Sequence, residues 1–432
     1  MKSRLLILLL GSLGASLAMG ADPAEPGQAL TLEQAHEFAL RNHPQLAAAQ
    51  LNALASLEVV RQARSSFFPT ANAYVTAVGA GNENTRILAG GLNNPSIYDR
   101  VAGGVSVSQT LYDFGQTGNL TASARSQARA EGQNATATRE EVLLNVDVNY
   151  FNLLEAEAVL RVAQQTLHTR QLLLDQVNAL AANKLKSGLD VSFAQVALGE
   201  AQLLEEKAEG DVESGQASLS DALGCHEQHH FELFDPNLSS ALPVDISVLI
   251  EKALRNRPEI LRLRYEQEAA RSYARAQKDQ NYPTIAAVAT VGDSPDHDVH
   301  LPEHYAAAGV NLTLPLFAGG LYAARQHEAE LKARAAEDNL RDEEDRVVRD
   351  VRTAWLNCDT TLQRLRTTEE LLKHATEAYD LAQARYKIGS SSIVELSEAQ
   401  LSQTSAEIAR ASAHYDELIQ RSILDYQVGA LN

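Results

Sequence analysis

Only two cysteines occur in the 432 residues, Cys225 and Cys358, and they sit in dissimilar contexts. A disulfide framework is therefore excluded as the source of stability for a chain this long. Aromatic residues make up 5% of the chain, and abundant Ala, Gln, Glu, Leu and Arg take their place, which is the composition of long helices. Basic residues are also in deficit: 37 Lys and Arg stand against 56 Asp and Glu, giving a net charge of −19. Phosphate binding needs basic patches, so nucleic acid is excluded as a partner. Gly-x-Ser-x-Gly elbows, phosphate-binding glycine-rich loops and His-Glu-x-x-His helices are all missing. No enzyme class is marked and no cofactor is expected. Beyond the first twenty residues no apolar run is long enough to span a bilayer as a helix. A membrane role would then require a closed β-barrel, whose strands carry only a weak alternating signal.

The N-terminus reads as a targeting segment. Met1–Arg4 is basic, Leu5–Leu10 is apolar, and small residues lead to Ala18-Met19-Gly20. That order predicts a signal peptide over 1–20, cleaved before Ala21. The apolar stretch is too short for an anchor and is broken by Gly11 and Gly14. Loss of Lys2 and Arg4 takes the charge to −21, and no cysteine near the cleavage site invites a lipid.

The chain is written twice. Ala39-Leu40-Arg41-Asn42-His43-Pro44-Gln45-Leu46 returns 214 residues later as Ala253-Leu254-Arg255-Asn256-Arg257-Pro258-Glu259-Ile260, and Phe68-Pro69-Thr70 returns as Tyr282-Pro283-Thr284. Downstream the offset falls to 205: Leu111-Tyr112 matches Leu316-Phe317, Tyr150-Phe151-Asn152 matches Trp355-Leu356-Asn357, and Gly224 matches Gly429. The length change places a surface loop between residues 70 and 105. The expected organisation is an N-terminal segment 21–30, a first repeat 31–224, a connector 225–243, a second repeat 244–428 and an end at 429–432.

Each copy opens on an Ala-rich helical stretch (31–66, then 244–280) and closes on a long stretch (about 113–185, then about 318–388) followed by a shorter one (190–224, then 393–428). Leu160, Leu167, Leu174 and Val177 show the three- and four-residue spacing of the long stretches, as do Val347, Val351, Trp355 and Leu362. Some 70 residues of helix make a rod of about 105 Å. Pro44 and Pro258 fall where a helix would break and restart.

Between the helical stretches the pattern alternates. Ala71, Ala73, Val75 and Ala77 oppose Thr70, Asn72, Tyr74 and Thr76; Val101, Val105 and Val107 oppose Ser106 and Ser108. In the second copy Ile285, Ala287, Ala289 and Val291 share a face, and Val310, Leu312 and Leu314 oppose Asn311 and Thr313. Strands are expected at about 67–80, 100–112, 281–292 and 304–316, each long enough to cross a bilayer at a tilt. Four strands cannot close a barrel, and an open edge in lipid is not viable, so copies must associate.

The sequence resembles the outer-membrane efflux protein family, the TolC-like outer-membrane factors, over essentially all of the mature chain. The resemblance rests on the doubled Ala-Leu-Arg-Asn-x-Pro segment, the aromatic-Pro-Thr strand starts and Leu312–Gly320. It rests also on Arg385-Tyr386-Lys387-Ile388-Gly389 with Ile393-Val394-Glu395-Leu396-Ser397-Glu398-Ala399. It implies a mainly α fold with a membrane β-barrel portion, in which long helical hairpins form a periplasmic α-barrel. It implies a homotrimer with four strands per protomer in a twelve-stranded barrel in outer-membrane lipid. The implied partners are a periplasmic adaptor (a membrane fusion protein) and an inner-membrane transporter that supplies the energy. The implied place is the outer membrane of a Gram-negative bacterium, reaching into the periplasm, and the implied function is conduction without catalysis. The competing class is a soluble periplasmic coiled-coil scaffold, which has no need of the alternating hairpins.

The resemblance also implies a periplasmic gate lined by acids just after the Gly of the second copy's helical hairpin. The matching positions are Glu395 and Glu398, and Asp190 is the counterpart of Glu395 at the repeat offset of 205, a further carboxylate for the same level. Residues three apart share a helix face, and a ring of such carboxylates favours cations. In the family a Tyr before this Gly and an Arg two residues after it hold the gate closed. Tyr386 stands at the first position and Ser391 at the second, so the latch must differ, with Lys184, Lys186 and Lys387 as candidates. Gly188, Leu189, Tyr386, Gly389, Ser390 and Ser391 form the implied tip, which docks the adaptor.

Two histidine clusters stand apart from this scheme. Cys225, His226, His229 and His230 offer metal-ligand chemistry at close spacing, as do Asp293, Asp296, His297, Asp298, His300 and His304. Neither matches a zinc pattern, and both are expected in connecting loops, so no metal is expected.

Overall fold

The computed structural model describes residues 29–79, 100–227, 229–236, 245–297 and 302–431. The signal peptide, the N-terminal segment up to residue 28, positions 80–99 of the expected loop, Gln228, connector positions 237–243, and Asp298 and His300 lie outside the described residues.

Among the described residues the elements run α1 (Leu32–Asn42), α2 (Pro44–Ser65), β1 (Thr70–Val78), β2 (Arg100–Tyr112), α3 (Gln116–Ala182) and α4 (Gly188–Ala222). The same order follows as α5 (Ile246–Asn256), α6 (Pro258–Asp279), β3 (Thr284–His297), β4 (His304–Thr313), α7 (Leu321–Lys387) and α8 (Ile393–Val428). Both α3 and α7 span 67 residues, and no described helix is long and apolar enough to cross a membrane.

Local chemistry sets the helix boundaries. Thr31 and Gln34 form a capping box that starts α1. The helix stops at His43, whose ψ of 119° is extended, because Pro44 excludes the α region from the residue before it. Pro44 then opens α2, as Pro258 opens α6 after Arg257. Gly224 and Gly429 end α4 and α8 in the left-handed region at φ +75° and +67°. Each closes a double hydrogen-bonded cap: the amides of Cys225 and Ala430 reach the carbonyls of Ser220 and Asp425 at 2.9 and 2.8 Å.

The strands form one antiparallel sheet in the order β1-β2-β3-β4, with Thr70 opposite Ser108, Val105 opposite Val291 and Thr284 opposite Thr313. The register aligns Ala73, Val105, Val291 and Ala306 on one face and Tyr74, Gly104, Gly292 and Tyr305 on the other. The apolar face is uncovered, with Val75 82% and Val310 69% exposed. The outer edges of β1 and β4 pair with no strand among the described residues. β3 continues past the expected end at 292 because its pairing with β2 persists to Arg100–His297, across a register shift between Val101 and Gly103. β4 stops at Thr313 rather than 316, since Pro315 cannot donate to a ladder. Asp293, Asp296, His297 and His304 therefore lie on strands and not in the loop expected there.

The chain divides into two compact units, each drawing on both halves of the sequence. One takes residues up to His43, Asn145–Ser239 and Thr368–Tyr415; the other takes Pro44–Leu144, Ser240–Thr367 and Asp416 onward. In the first unit Leu173, Leu174 and Val177 of α3 pack with Ala194, Ala382, Tyr386, Ile393 and Leu396. The Tyr150 hydroxyl lies 2.7 Å from the Leu30 carbonyl and 2.5 Å from that of Phe234, and buried Asp147 pairs with His36. The core of the second unit joins Ala253 and Ile260 to Val347, Val351, Ala354, Cys358, Leu424 and Val428. Beside it, buried Arg257 donates to Glu259 at 3.2 Å and to Gln427 at 2.8 Å. Near this pair the buried Glu140 carboxyl is pushed up to about 7, first by burial and then by the charge of Glu259.

Candidate functional site

The implied gate residues all lie in the first unit, where α3 turns into α4 and α7 into α8. The second turn is built on Gly389, at φ +75°: its amide reaches the Tyr386 carbonyl at 3.1 Å, and the Ser390 amide reaches that of Arg385 at 2.9 Å. In the first turn the left-handed position falls to Lys184, at φ +53°, rather than to Gly188. A lysine there carries a steric cost of roughly 1–2 kcal/mol that glycine avoids. Gly188 instead opens α4, and with Leu189 it is exposed.

Serines cap the helices that leave both turns, and the expected acids sit at the cap. Ser187 accepts from the Asp190 amide at 3.2 Å, while the Asp190 carboxylate accepts from the Ser187 amide and hydroxyl at 2.8 and 2.7 Å. The Ser187 hydroxyl, then its amide, then the charge of Lys186 hold this carboxyl below the usual range. In the second turn Ser392 accepts from the Glu395 amide at 3.2 Å. The Glu395 carboxylate turns back over the tip, accepting from Arg385 at 2.6 Å and from Ser391 at 2.7 Å. Glu398, one helical turn on, is exposed, and its carboxylate has no partner among the described residues. No hydrogen bond or ion pair joins Asp190, Glu395 and Glu398 within the chain.

Tyr386 lies in the apolar cluster behind the tip, and its buried hydroxyl has no hydrogen-bond partner among the described residues. Burial, then the negative charge of Asp190, push this phenol up. The Lys186 ammonium stands 4.3 Å above the ring, so this lysine is the one that links the first turn to Tyr386. Lys387 donates to Gln383 at 3.1 Å and stays on its own helix. Sequence reasoning missed Arg385 as the partner of Glu395. The signal available was its position four residues before Gly389, where a tight turn brings it back to the first turn of α8.

The described members of the histidine clusters make local contacts. His229 Nδ1 donates to the Glu227 carbonyl at 2.8 Å and its ring stacks on Phe231, while His226 and His230 are exposed beside half-buried Cys225. His304 pairs with Asp293 at 2.6 Å. Among the described residues no group of three or more such ligands is arranged to hold a metal ion.

Long helices joined to a four-stranded sheet with one apolar face uncovered define a class: channel proteins that seat a β-barrel in the outer membrane. A profile of the family described as outer membrane efflux protein matches residues 36–225 and 249–429, and the chain belongs to that family. It is an outer-membrane efflux channel protein that extends into the periplasm of a Gram-negative cell. It is 23% identical over 425 residues to the outer membrane protein TolC of Escherichia coli strain K12, covering 94% of this chain and 83% of that one. Against the TolC of Vibrio cholerae serotype O1 the identity is 25% over 410 residues, covering 93% and 91%. A solved membrane protein of Pseudomonas aeruginosa shares the fold with a TM-score of 0.79 at 22% identity, over 92% of this chain and 90% of its own.

Proposed function

We propose that this channel works as a homotrimer, each copy adding four strands to a closed barrel. It receives solutes through a periplasmic adaptor from an inner-membrane transporter and catalyses no reaction itself. The observation that carries the reading is the sheet: among the described residues β1 and β4 are unpaired on their outer edges and the apolar face is bare. An open edge facing lipid costs several kcal/mol per unsatisfied group, and pairing β4 of one copy with β1 of the next removes that cost. The tips around Gly188, Leu189, Gly389, Ser390 and Ser391 are the docking surface, and Asp190, Glu395 and Glu398 supply the periplasmic acid ring. Glu398 brings the least compensated charge to it, because Asp190 is held by its cap and Glu395 by Arg385.

Single-channel conductance of the purified protein in a planar bilayer, titrated with a trivalent cation, tests this. Stable, cation-selective openings that the cation blocks from one side support the duct and its acid ring. Folded, helical protein that forms no channel returns the chain to the soluble scaffold.

A further inference from the structure

The polar face of the sheet carries a feature that the gate does not use. Tyr74 of β1 and Tyr305 of β4 reach toward each other across β2 and β3, their hydroxyl oxygens 3.1 Å apart. Tyr74 also meets the Thr290 hydroxyl at 2.8 Å, and Tyr305 donates to the Gly103 carbonyl at 3.3 Å. Two glycines make room for this bridge. A Cβ on Gly104 would come within 2.6 Å of the Tyr305 hydroxyl, and one on Gly292 would overlap the end of the ring. Beside the tyrosines lies a cavity of about 270 Å³, lined also by Thr76, Arg100, Ala102 and Ser294.

The register decides which way this cavity faces. Tyr74, Gly104, Gly292 and Tyr305 share a face with Asn72, Ser106, Thr290 and Asn311, opposite the uncovered valines. In an outer-membrane barrel the apolar face meets lipid and the polar face meets the lumen. Arg100, aligned with Val78 and Thr76 on that face, is its one guanidinium or ammonium group among the described residues. Its guanidinium makes no ion pair or hydrogen bond with another described residue. An exposed guanidinium beside two tyrosine rings offers a two-pronged donor to a carboxylate and a flat surface to an aromatic ring. The cavity falls just below the roughly 300–1,000 Å³ of drug-sized sites, which fits a single-ring ligand.

We propose that Arg100, Tyr74 and Tyr305 form a low-affinity contact site on the channel wall for small aromatic carboxylates in transit. The site rests on the reading of the sheet as the wall of a trimeric channel. Its openness to the lumen suits a conduit, where a ligand must bind well enough to enter and weakly enough to leave.

The test uses the full-length protein in planar bilayers with benzoate as the probe, acetate as the ringless control and Arg100→Gln as the variant. Arg100 is exposed, so its replacement leaves the sheet intact. Benzoate is expected to interrupt the current at millimolar concentrations, acetate about fivefold less effectively, and Arg100→Gln to weaken the benzoate effect by about fivefold. Open channels on which benzoate and acetate act alike, or on which Arg100→Gln changes nothing, overturn the site and leave the duct standing. Folded protein that forms no channel overturns both.

Discussion

Arg385 and Glu395 meet at 2.6 Å across the turn that joins α7 to α8, and Ser391 donates to the same carboxylate. The turn thus neutralises one of its own acids. Arg385→Gln is expected to leave the fold intact, because the exposed pair contributes no more than about 1 kcal/mol. With Glu395 released, block of the channel by a trivalent cation should strengthen by about three- to tenfold. Glu395→Gln should weaken it. A block indifferent to both changes would remove Glu395 from the conduction path.

Gly224, Gly389 and Gly429, three of the left-handed glycines, are expected to differ in what they tolerate. A Cβ on Gly224 would stand 2.9 Å from the His43 Cα, and one on Gly429 would stand 3.3 Å from the Arg257 nitrogen. A Cβ on Gly389 would meet nothing within 4 Å beyond its chain neighbours. Alanine at 389 should therefore cost only the backbone strain, about 1 kcal/mol. Gly224→Ala adds a backbone collision and should cost about 2–4 kcal/mol in all, with Gly429→Ala between them. Thermal melts followed by the helical circular dichroism signal check the order. Equal losses at all three sites would mean that strain alone matters.

Tyr386 separates the worth of a ring from that of its hydroxyl. The ring fills the cluster around Leu174, Val177 and Leu396, while the buried hydroxyl has no partner among the described residues. Tyr386→Phe is expected to be neutral or to stabilise by up to about 1 kcal/mol, since a buried group without a hydrogen bond is a cost. Tyr386→Ala should destabilise by about 3–5 kcal/mol through the cavity it leaves. A clear loss of melting temperature in the phenylalanine variant would mean that the hydroxyl has a partner in the assembled channel.

Much of this architecture is legible in the residues because local rules and long-range packing agree. Pro44 and Pro258 mark the helix restarts, and the alternation of Ala71–Ala77 with Thr70–Thr76 gives the two faces of β1. Other features depend on partners distant in sequence. β3 runs to His297 because β2 offers it a ladder, and Asp293 and His297 carry no strand preference that would announce this. The acids at the tip were visible as Glu395 and Glu398. That Arg385 compensates one and leaves the other bare follows only from the way Gly389 folds the chain back. Lys184 in a left-handed turn has no marker at all, since the pattern reserves that position for Gly or Asn.

Glu140 gives the fold a pH dependence whose sign can be stated. Its carboxyl is buried on α3 near the carboxylate of Glu259, with Arg257 of the α5–α6 junction and Arg139 of α3 around it. Arg257 is spent on Glu259 and Gln427, so it offsets the second acid only in part. Raised to about 7 from its ordinary 4.5, the group holds its proton more tightly folded than unfolded. Its contribution is fully present below about 4.5 and is lost as the pH rises through about 7. Melting temperature should therefore climb as the pH falls from 8 toward 5. Glu140→Gln, which keeps the shape without the charge, should stabilise at pH 8 by roughly 1–3 kcal/mol and flatten that climb. Parallel melting curves for the two proteins across this range would show that Glu140 stays ionised in the folded chain and that another group sets the slope.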